Sequence, residues 1–246
     1  MEYRKKDEDR KLEMSSEDNI VHWLDAISSK IKKARKAGQG IETSRSDSAI
    51  VAVMPIEEDS DTLLSYLEHK DIYREDLEKM SESRKREWLA VRVLLKEMLG
   101  EEKIIDYLPS GKPYINDASW KIGISHTKNY AAIILDKRNE VAIDIEYISP
   151  RVNKIRSRFM SEKEERNLSK EKELVHLLLH WSAKESLYKL LDEQKTEFKT
   201  QLSILDFDPK IDEWSAFPAK AHGDSFTVHY FVNADYVLTY LIHVKN

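Results

Sequence analysis

Apolar and polar positions alternate with period two through Val141-Ala142-Ile143-Asp144-Ile145-Glu146, the pattern of a strand with one packed face. Val141, Ile143 and Ile145 share that face. The other face carries two carboxylates at i and i+2, which point the same way and repel. A bound divalent cation removes that cost, and hard oxygen ligands suit Mg²⁺. An ordinary exposed strand face with two acids fits the stretch alone equally well.

The same reading orders the rest of the chain. Ile20, Val21, Trp23, Leu24, Ile27 and Ile31 recur at helical spacing within residues 1–48, a charged extension, helical or partly disordered, that ends in the loose Gly38-Gln39-Gly40 stretch. The apolar run at 49–54, stopped by Pro55, predicts the first strand of the folded part. Leu63, Leu64 and Leu67 predict a short helix. Leu77, Met80, Trp88, Leu89, Val91, Leu94, Leu95 and Met98 predict a long amphipathic helix over 74–99, broken near Ser81 and capped by Gly100. Residues 107–115 read as a hairpin turning at Ser110-Gly111. Strands follow at 122–127 and 130–135, and residues 136–139 read as a hairpin turn into the opening stretch. A Ser-x-x-Glu capping pattern at Ser161 and Glu164 starts a helix. A second long helix covers 173–191, with Leu174, Leu177, Leu178, Trp181, Leu187 and Leu190 as its stripe. Strands return at 202–207, 225–232 and 236–244, with Pro209, Pro218 and Gly223 in loops. This order predicts an α+β protein of two similar halves, 49–145 and 146–246, meeting near 140–150.

Composition narrows the chemistry. The 246 residues are 41% hydrophobic and 35% charged, with a net charge of -5, which gives no general nucleic-acid signal. Without cysteine, a disulfide framework, a thiolate metal site and a cysteine nucleophile are excluded. The charged start carries no signal-peptide pattern, and no apolar run is long enough for a membrane span, so the reading is cytoplasmic. The six glycines cannot spell a Walker loop or a dinucleotide fingerprint. Any phosphate must be held by side chains and metal.

Basic groups offer contacts of two kinds. Arg84, Lys85, Arg86 and Arg92 lie on the first long helix, either as a solvated face or as phosphate ligands. Arg151, Lys154, Arg156 and Arg158 form a patch just after the opening strand. Glu185 and Lys189 are one helical turn apart, which also suits a plain surface salt bridge. Glu164 has a purely structural use as a cap.

Four ordered motifs carry a resemblance. Ser110-Gly111-Lys112-Pro113, Ile124-Ser125-His126-Thr127, Ala142-Ile143-Asp144-Ile145-Glu146 and Trp181-Ser182-Ala183-Lys184-Glu185-Ser186-Leu187-Tyr188-Lys189 resemble, in sequence order, those of the 4′-phosphopantetheinyl transferases. Phe159-Met160-Ser161-Glu162-Lys163-Glu164 resembles a fifth element between the last two. The chain is similar to the larger, two-halved (Sfp-like) kind that activates nonribosomal peptide synthetases. The smaller kind is about half this length, with its aspartate near the N-terminus. The match spans about residues 75–195. It departs at Thr127 for serine, Ala142 for glycine, and Leu191-Asp192 where a glycine is common.

The resemblance implies a single-chain pseudo-dimer, each half an antiparallel sheet packed with a long helix, acting as a monomer. It implies transfer of 4′-phosphopantetheine from coenzyme A to a serine of an apo carrier protein (acyl, polyketide or peptidyl), with release of adenosine 3′,5′-bisphosphate. Asp144, Glu146 and Glu185 would hold Mg²⁺, or Mn²⁺ in its place. Glu185 is the first choice of general base and Glu164 the second. Lys189 and Lys184 would hold the pyrophosphate; Lys112, Ser125 and His126 the coenzyme A phosphates; Arg84, Lys85, Arg86 and Arg92 the 3′-phosphate. Arg151, Lys154, Arg156 and Arg158 would dock the acidic carrier. Nucleic acid and membrane are not expected as partners. The rival readings are a non-catalytic coenzyme A or carrier-binding relative and another Mg²⁺-dependent phosphoryl-transfer enzyme.

Overall fold

Eleven strands and six α-helices alternate through the part of the chain that the structure, a computed structural model, describes: residues 42–45, 49–193 and 195–244. The helical spacing over 20–31 lies outside the described residues. Strands β1 (Glu42–Arg45) and β2 (Ala49–Pro55) open the fold. Helices α1 (Ser60–Ser65), α2 (Lys70–Glu78) and α3 (Glu82–Leu99) follow. Next come β3 (Ile105–Tyr107), β4 (Pro113–Ile115), β5 (Lys121–Thr127), β6 (Tyr130–Asp136) and β7 (Glu140–Tyr147). A 3₁₀ turn (Pro150–Lys154) leads to α4 (Arg156–Phe159), α5 (Glu162–Asn167) and α6 (Glu173–Leu191). The chain closes with β8 (Leu202–Ile204), β9 (Ser215–Ala221), β10 (Asp224–Val232) and β11 (Tyr236–His243).

Every strand pairing is antiparallel. One sheet runs β1-β2-β6-β5, another β7-β11-β10-β9-β8, and β3-β4 stand as a hairpin. The two larger sheets share a wiring rule. The strand that precedes the long helix, β2 or β7, lies beside the last strand, β6 or β11, which lies beside the one before it.

Local chemistry explains the long helices. Ser81 caps α3 by accepting from the Arg84 N–H, which places the expected break between α2 and α3. Gly100 ends α3 in the left-handed region at φ 75°. At the end of α6 that conformation falls to Asp192, at φ 54°; aspartate tolerates it better than most side chains. Ser161 and Glu164 form the expected capping box on α5.

Four expectations change. Residues 42–45, read as part of the extension, form a strand on β2, with Glu42 opposite Val53 and Arg45 opposite Ile50; pairing satisfies an edge that β2 would otherwise leave open. Asp136–Asn139 is a tight turn, with the Asp136 carboxylate accepting from the Arg138 and Asn139 N–H groups, but it does not join a hairpin. From Glu140 onward β7 pairs with β11 in the other sheet, including residues 140–145 that the sequence reading grouped with the first half. The third is β9, with Pro218 inside it rather than in a loop. The Pro218 carbonyl accepts from the Leu205 N–H just past the end of β8, and proline, with no N–H to return, closes that ladder there. Finally, β7 is covered on both faces rather than one: residues 141–145 are all buried.

Two apolar cores hold this arrangement. Val51, Val53, Ala132 and Ile134 of the first sheet pack against Val141, Ile143, Ile145 and Leu238 of the second. On the second sheet's other face, Leu177, Leu179, Ala183 and Leu187 of α6 pack with Ala142, Val228, Val237 and Leu241. Gly123 permits the close approach of β5 to β7: a Cβ there would stand 2.8 Å from Ile134 Cγ2 and 3.2 Å from Ala142 Cα. Among the described residues no helix is long and apolar enough to cross a membrane.

Candidate active site

The alternation in β7 sends Asp144 and Glu146 to the side on which α6 lies. The helix is drawn close by small hydroxyls. Ser182 and Ser186, one turn apart, both meet the Thr239 hydroxyl of β11, at 2.9 and 2.8 Å. That contact places Glu185 and Lys189 over the acidic face of β7.

Asp144 is the centre. Only 5% exposed, its Oδ1 accepts from Lys189 Nζ at 2.7 Å and from Ser125 Oγ at 3.1 Å. Its Oδ2 is buried and has no hydrogen-bond partner among the described residues, a costly state for a carboxylate oxygen. Lys189 Nζ also donates to the Ile143 carbonyl and to Ser125 Oγ. Ser125 accepts from the Ile145 N–H as well, and Thr127 Oγ1 accepts from the Tyr147 N–H. These hydroxyls stitch β5 to β7, and threonine at 127 keeps the bond.

Glu146 and Glu185 feel Asp144. Burial, and then the Asp144 carboxylate, push Glu146 up to about 7. The same two causes, in the same order, push Glu185 up to about 7, with Lys189 pulling the other way. Trp181 Nε1–H donates to Glu146 Oε1 at 2.7 Å, a contact that sequence reasoning missed by counting Trp181 only as apolar stripe.

His126, near the end of β5, faces α3 and not the carboxylates. Its Nε2 lies 2.5 Å from Arg84 Nη1 and its Nδ1 3.4 Å from Glu87 Oε2. Burial holds it below the ordinary imidazole range. A neutral ring that accepts from Arg84 and donates to Glu87 satisfies both contacts. Glu87 carried no motif signal.

A cleft of about 180 Å³ adjoins the carboxylates, lined by Gly111, Lys112, Gly123, Ala142, Tyr188 and Lys189 among others. Lys112 reaches Glu140 at 2.8 Å. Lys189 is common to cleft and carboxylates, so one cation joins the two.

Other candidates go elsewhere. Lys184 is 0% exposed. It donates to Glu164 Oε2 at 2.9 Å, the Phe159 carbonyl at 2.6 Å and the Phe198 carbonyl at 3.0 Å. Sealed among these three acceptors and away from solvent, it presents no face to a pyrophosphate. Burial lowers the ammonium from its ordinary range, with the Glu164 carboxylate pulling the other way. Glu164 accepts from the Ser161 and Ile204 N–H groups besides Lys184. Burial opposes its ionisation, yet Lys184 and those bonds hold it below the usual carboxylate range. Its lone pairs are committed, which argues against a proton-accepting use. Arg92 is buried against the Trp88 and Tyr73 rings, and burial lowers it to about 10. Arg86 donates to the Glu58 and Ile56 carbonyls, both at 2.8 Å, tying α3 to the segment after β2. Of the four bases on α3, Arg84 alone stands beside a motif residue, His126. In the basic patch, Arg151, Lys154 and Arg158 are exposed, whereas Arg156 is held by Glu165 and Glu173.

Does this set suit the Mg²⁺ that the resemblance implies? The donors do: three carboxylates, one with a buried oxygen unpartnered among the described residues, with Asp144 raising the proton affinity of the other two. Yet no group of three acidic or imidazole side chains among the described residues already stands in metal-holding geometry. Lys189 sits on Asp144 Oδ1 instead. The ligands are gathered but not pre-aimed.

Residues 140–241 match the family model described as the 4′-phosphopantetheinyl transferase superfamily. The match covers the Asp144–Glu146 strand and α6, and starts after the elements at Ser110 and Ser125. It supports a phosphopantetheine-transferring role. No curated protein matches the chain.

Proposed function

We propose that the protein transfers 4′-phosphopantetheine from coenzyme A to a serine of an apo carrier protein, as a larger, two-halved member of the transferase superfamily. The observation that carries this reading is Lys189. It touches Asp144 at 2.7 Å and also lines the cleft beside Lys112. A pyrophosphate laid between them would meet a cation on one side and the carboxylate cluster on the other. The shared wiring of the two sheets supports a pseudo-dimer, its seam between β6 and β7.

Asp144, Glu146 and Glu185 would hold the divalent cation. When bound, Mg²⁺ would offset pyrophosphate charge and stabilise the leaving phosphate oxygen. The chain's residues do the rest. Lys189 and Ser125 orient the pyrophosphate, and Lys112 holds the nucleotide end. The carrier serine Oγ forms a bond to the phosphorus bearing pantetheine. The bond from that phosphorus to the adenylate oxygen breaks, and adenosine 3′,5′-bisphosphate leaves. The serine proton goes to Glu185, which faces the same side as Asp144; Glu164 is too committed to share that task.

The carrier would arrive over the 3₁₀ turn. Exposed Arg151 lines a second cleft, of about 280 Å³, with Glu146, Val152, Ile155 and Trp181, and Lys154 and Arg158 are exposed on the segment that follows. An acidic carrier surface matches that rim.

The test is a mass measurement. The protein, coenzyme A and Mg²⁺ are incubated with fatty-acid, polyketide and peptide-synthetase apo carriers. A carrier gaining the phosphopantetheine mass, with release of the bisphosphate, supports the reading. Phosphate release without an adduct would instead mark a hydrolytic phosphoryl-transfer enzyme, and binding without turnover a non-catalytic relative.

A further inference from the structure

Lys184 sits in the same helix turn as Glu185, yet it points into the protein and spends its charge there. Two of its three acceptors are the backbone carbonyls of Phe159 and Phe198. The rings of those two residues both contact Trp181, with centroids 5.1 and 5.6 Å away. Trp181 Nε1–H in turn donates to Glu146 Oε1 at 2.7 Å. A continuous set of contacts therefore runs from the buried ammonium to a carboxylate of the site. The Glu164 end anchors the other side: its Oε1 accepts from the Ile204 N–H of β8, and its Oε2 from the Ser161 N–H. The ion pair thus joins α4, α5, α6, β8 and the segment after α6 at one point.

We infer that Lys184 is a positioning residue: paired with Glu164, it fixes the Phe159 and Phe198 rings on Trp181, and through the indole N–H sets the direction of Glu146. The inference rests on the reading of Glu146 as a cation ligand. The physical need is plain. Glu146 faces two like-charged neighbours, and a free carboxylate would turn away from Asp144 and Glu185. A donor aimed at Oε1 from a ring that cannot rotate holds it in place, leaving Oε2 for a ligand. Trp181 can do this only while it is packed, and its packing partners hang on Lys184. A phosphate-binding lysine would need exposure, and Lys184 has none.

The experiment titrates Mn²⁺ into the full-length protein and follows free Mn²⁺ by electron paramagnetic resonance, beside steady-state kinetics. Trp181→Phe keeps a ring but removes the N–H. Lys184→Met with Glu164→Gln removes both buried charges while the amide oxygen keeps an acceptor for one of the Ser161 and Ile204 N–H groups. Each should weaken Mn²⁺ binding about tenfold and raise the Mg²⁺ requirement for turnover. Far-UV dichroism and a cooperative melt should stay native, and the KM for coenzyme A at saturating Mg²⁺ unchanged. If the double variant does not fold, Phe198→Leu, which spares the ion pair, carries the same expectation. Wild-type Mn²⁺ affinity in the folded variants overturns the inference, as does a raised KM for coenzyme A alone. Asp144→Asn separates the two levels. If it abolishes Mn²⁺ binding while the Trp181 and Lys184 variants bind normally, only this inference falls. If wild type binds no Mn²⁺, the carboxylate reading falls and takes the inference with it.

Discussion

Lys189 Nζ lies 2.7 Å from Asp144 Oδ1, an ion pair between the last turn of α6 and the middle of β7. It is the only cation hydrogen-bonded to Asp144 among the described residues, and it leaves Oδ2 without a partner. The pair gives a buried carboxylate a cationic partner before any ligand arrives. Replacing Lys189 by Met should lower transfer by about a hundredfold, the scale of losing one charge-stabilising group. A rise in KM for coenzyme A should accompany the fall in kcat. Unchanged kinetics would remove Lys189 from the site.

Stability should depend on pH through Glu146 and Glu185. Both are raised from 4.5 to about 7 in the fold. Between those values the folded protein holds protons that the unfolded chain has lost. Stability contributed by the protonated groups is complete below about pH 4.5 and is lost as pH climbs to about 7. His176 acts oppositely: burial pushes it down to about 4, so its contribution grows with pH from about 4 to 6.5. A difference measurement isolates the glutamates. The stability gained by Glu185→Gln, from urea melts in the absence of divalent cations, should increase from pH 4.5 to 7 and then level off. A flat difference would show that Glu185 titrates normally.

Mg²⁺ should reverse that cost. Because the carboxylates must be ionised to bind it, Mg²⁺ should release protons at pH 6 and raise Tm more at pH 8 than at pH 5. Calorimetry in two buffers of different ionisation enthalpy counts the protons. Asp144→Asn should abolish both effects.

Gly123→Ala tests the close approach of β5 and β7. The new methyl would stand 2.8 Å from Ile134 Cγ2, 3.2 Å from Ala142 Cα and 3.3 Å from the Ile143 nitrogen. Two of those atoms are backbone, so the strands must part. A loss of about 1–3 kcal/mol in stability is expected, with a disproportionate fall in activity as Ser125 leaves Asp144. A variant as active as wild type would show that β5 and β7 can separate freely.

The basic rim should divide into two behaviours. Reversing Arg151 and Arg158 together should raise the KM for the carrier several-fold and leave the KM for coenzyme A alone. Reversing Arg156 should instead lower Tm, since it bonds Glu165 and Glu173. Equal effects on both substrates from the first pair would place the carrier elsewhere.

Much of this was legible in the chain because the signals are local. The capping box at Ser161, the glycine after Leu99, the helical stripe of α6 and the alternation in β7 each follow from a few neighbouring residues. The failures were of another kind. Nothing around Asn139 tells the chain that β7 will leave β6 for β11, because that choice is made by a strand about a hundred residues later. Pro218 argues against a strand by propensity, yet β10 pairs opposite it and the β8 ladder closes at it.

The site divides in the same way. Sequence alone determined the residue types and their facing: carboxylates two apart on one strand face, and an acid one turn before a lysine on a helix. Spacing and period dictate that much. Tertiary structure decided which charges stay available. Lys184 and Lys189 read alike in the motif, yet one lies sealed with Glu164 and the other opens onto the cleft. A helix commits five residues to more than a full turn of directions, and only the packing of α6 on β7 and β11 says which direction meets the ligand and which meets the core.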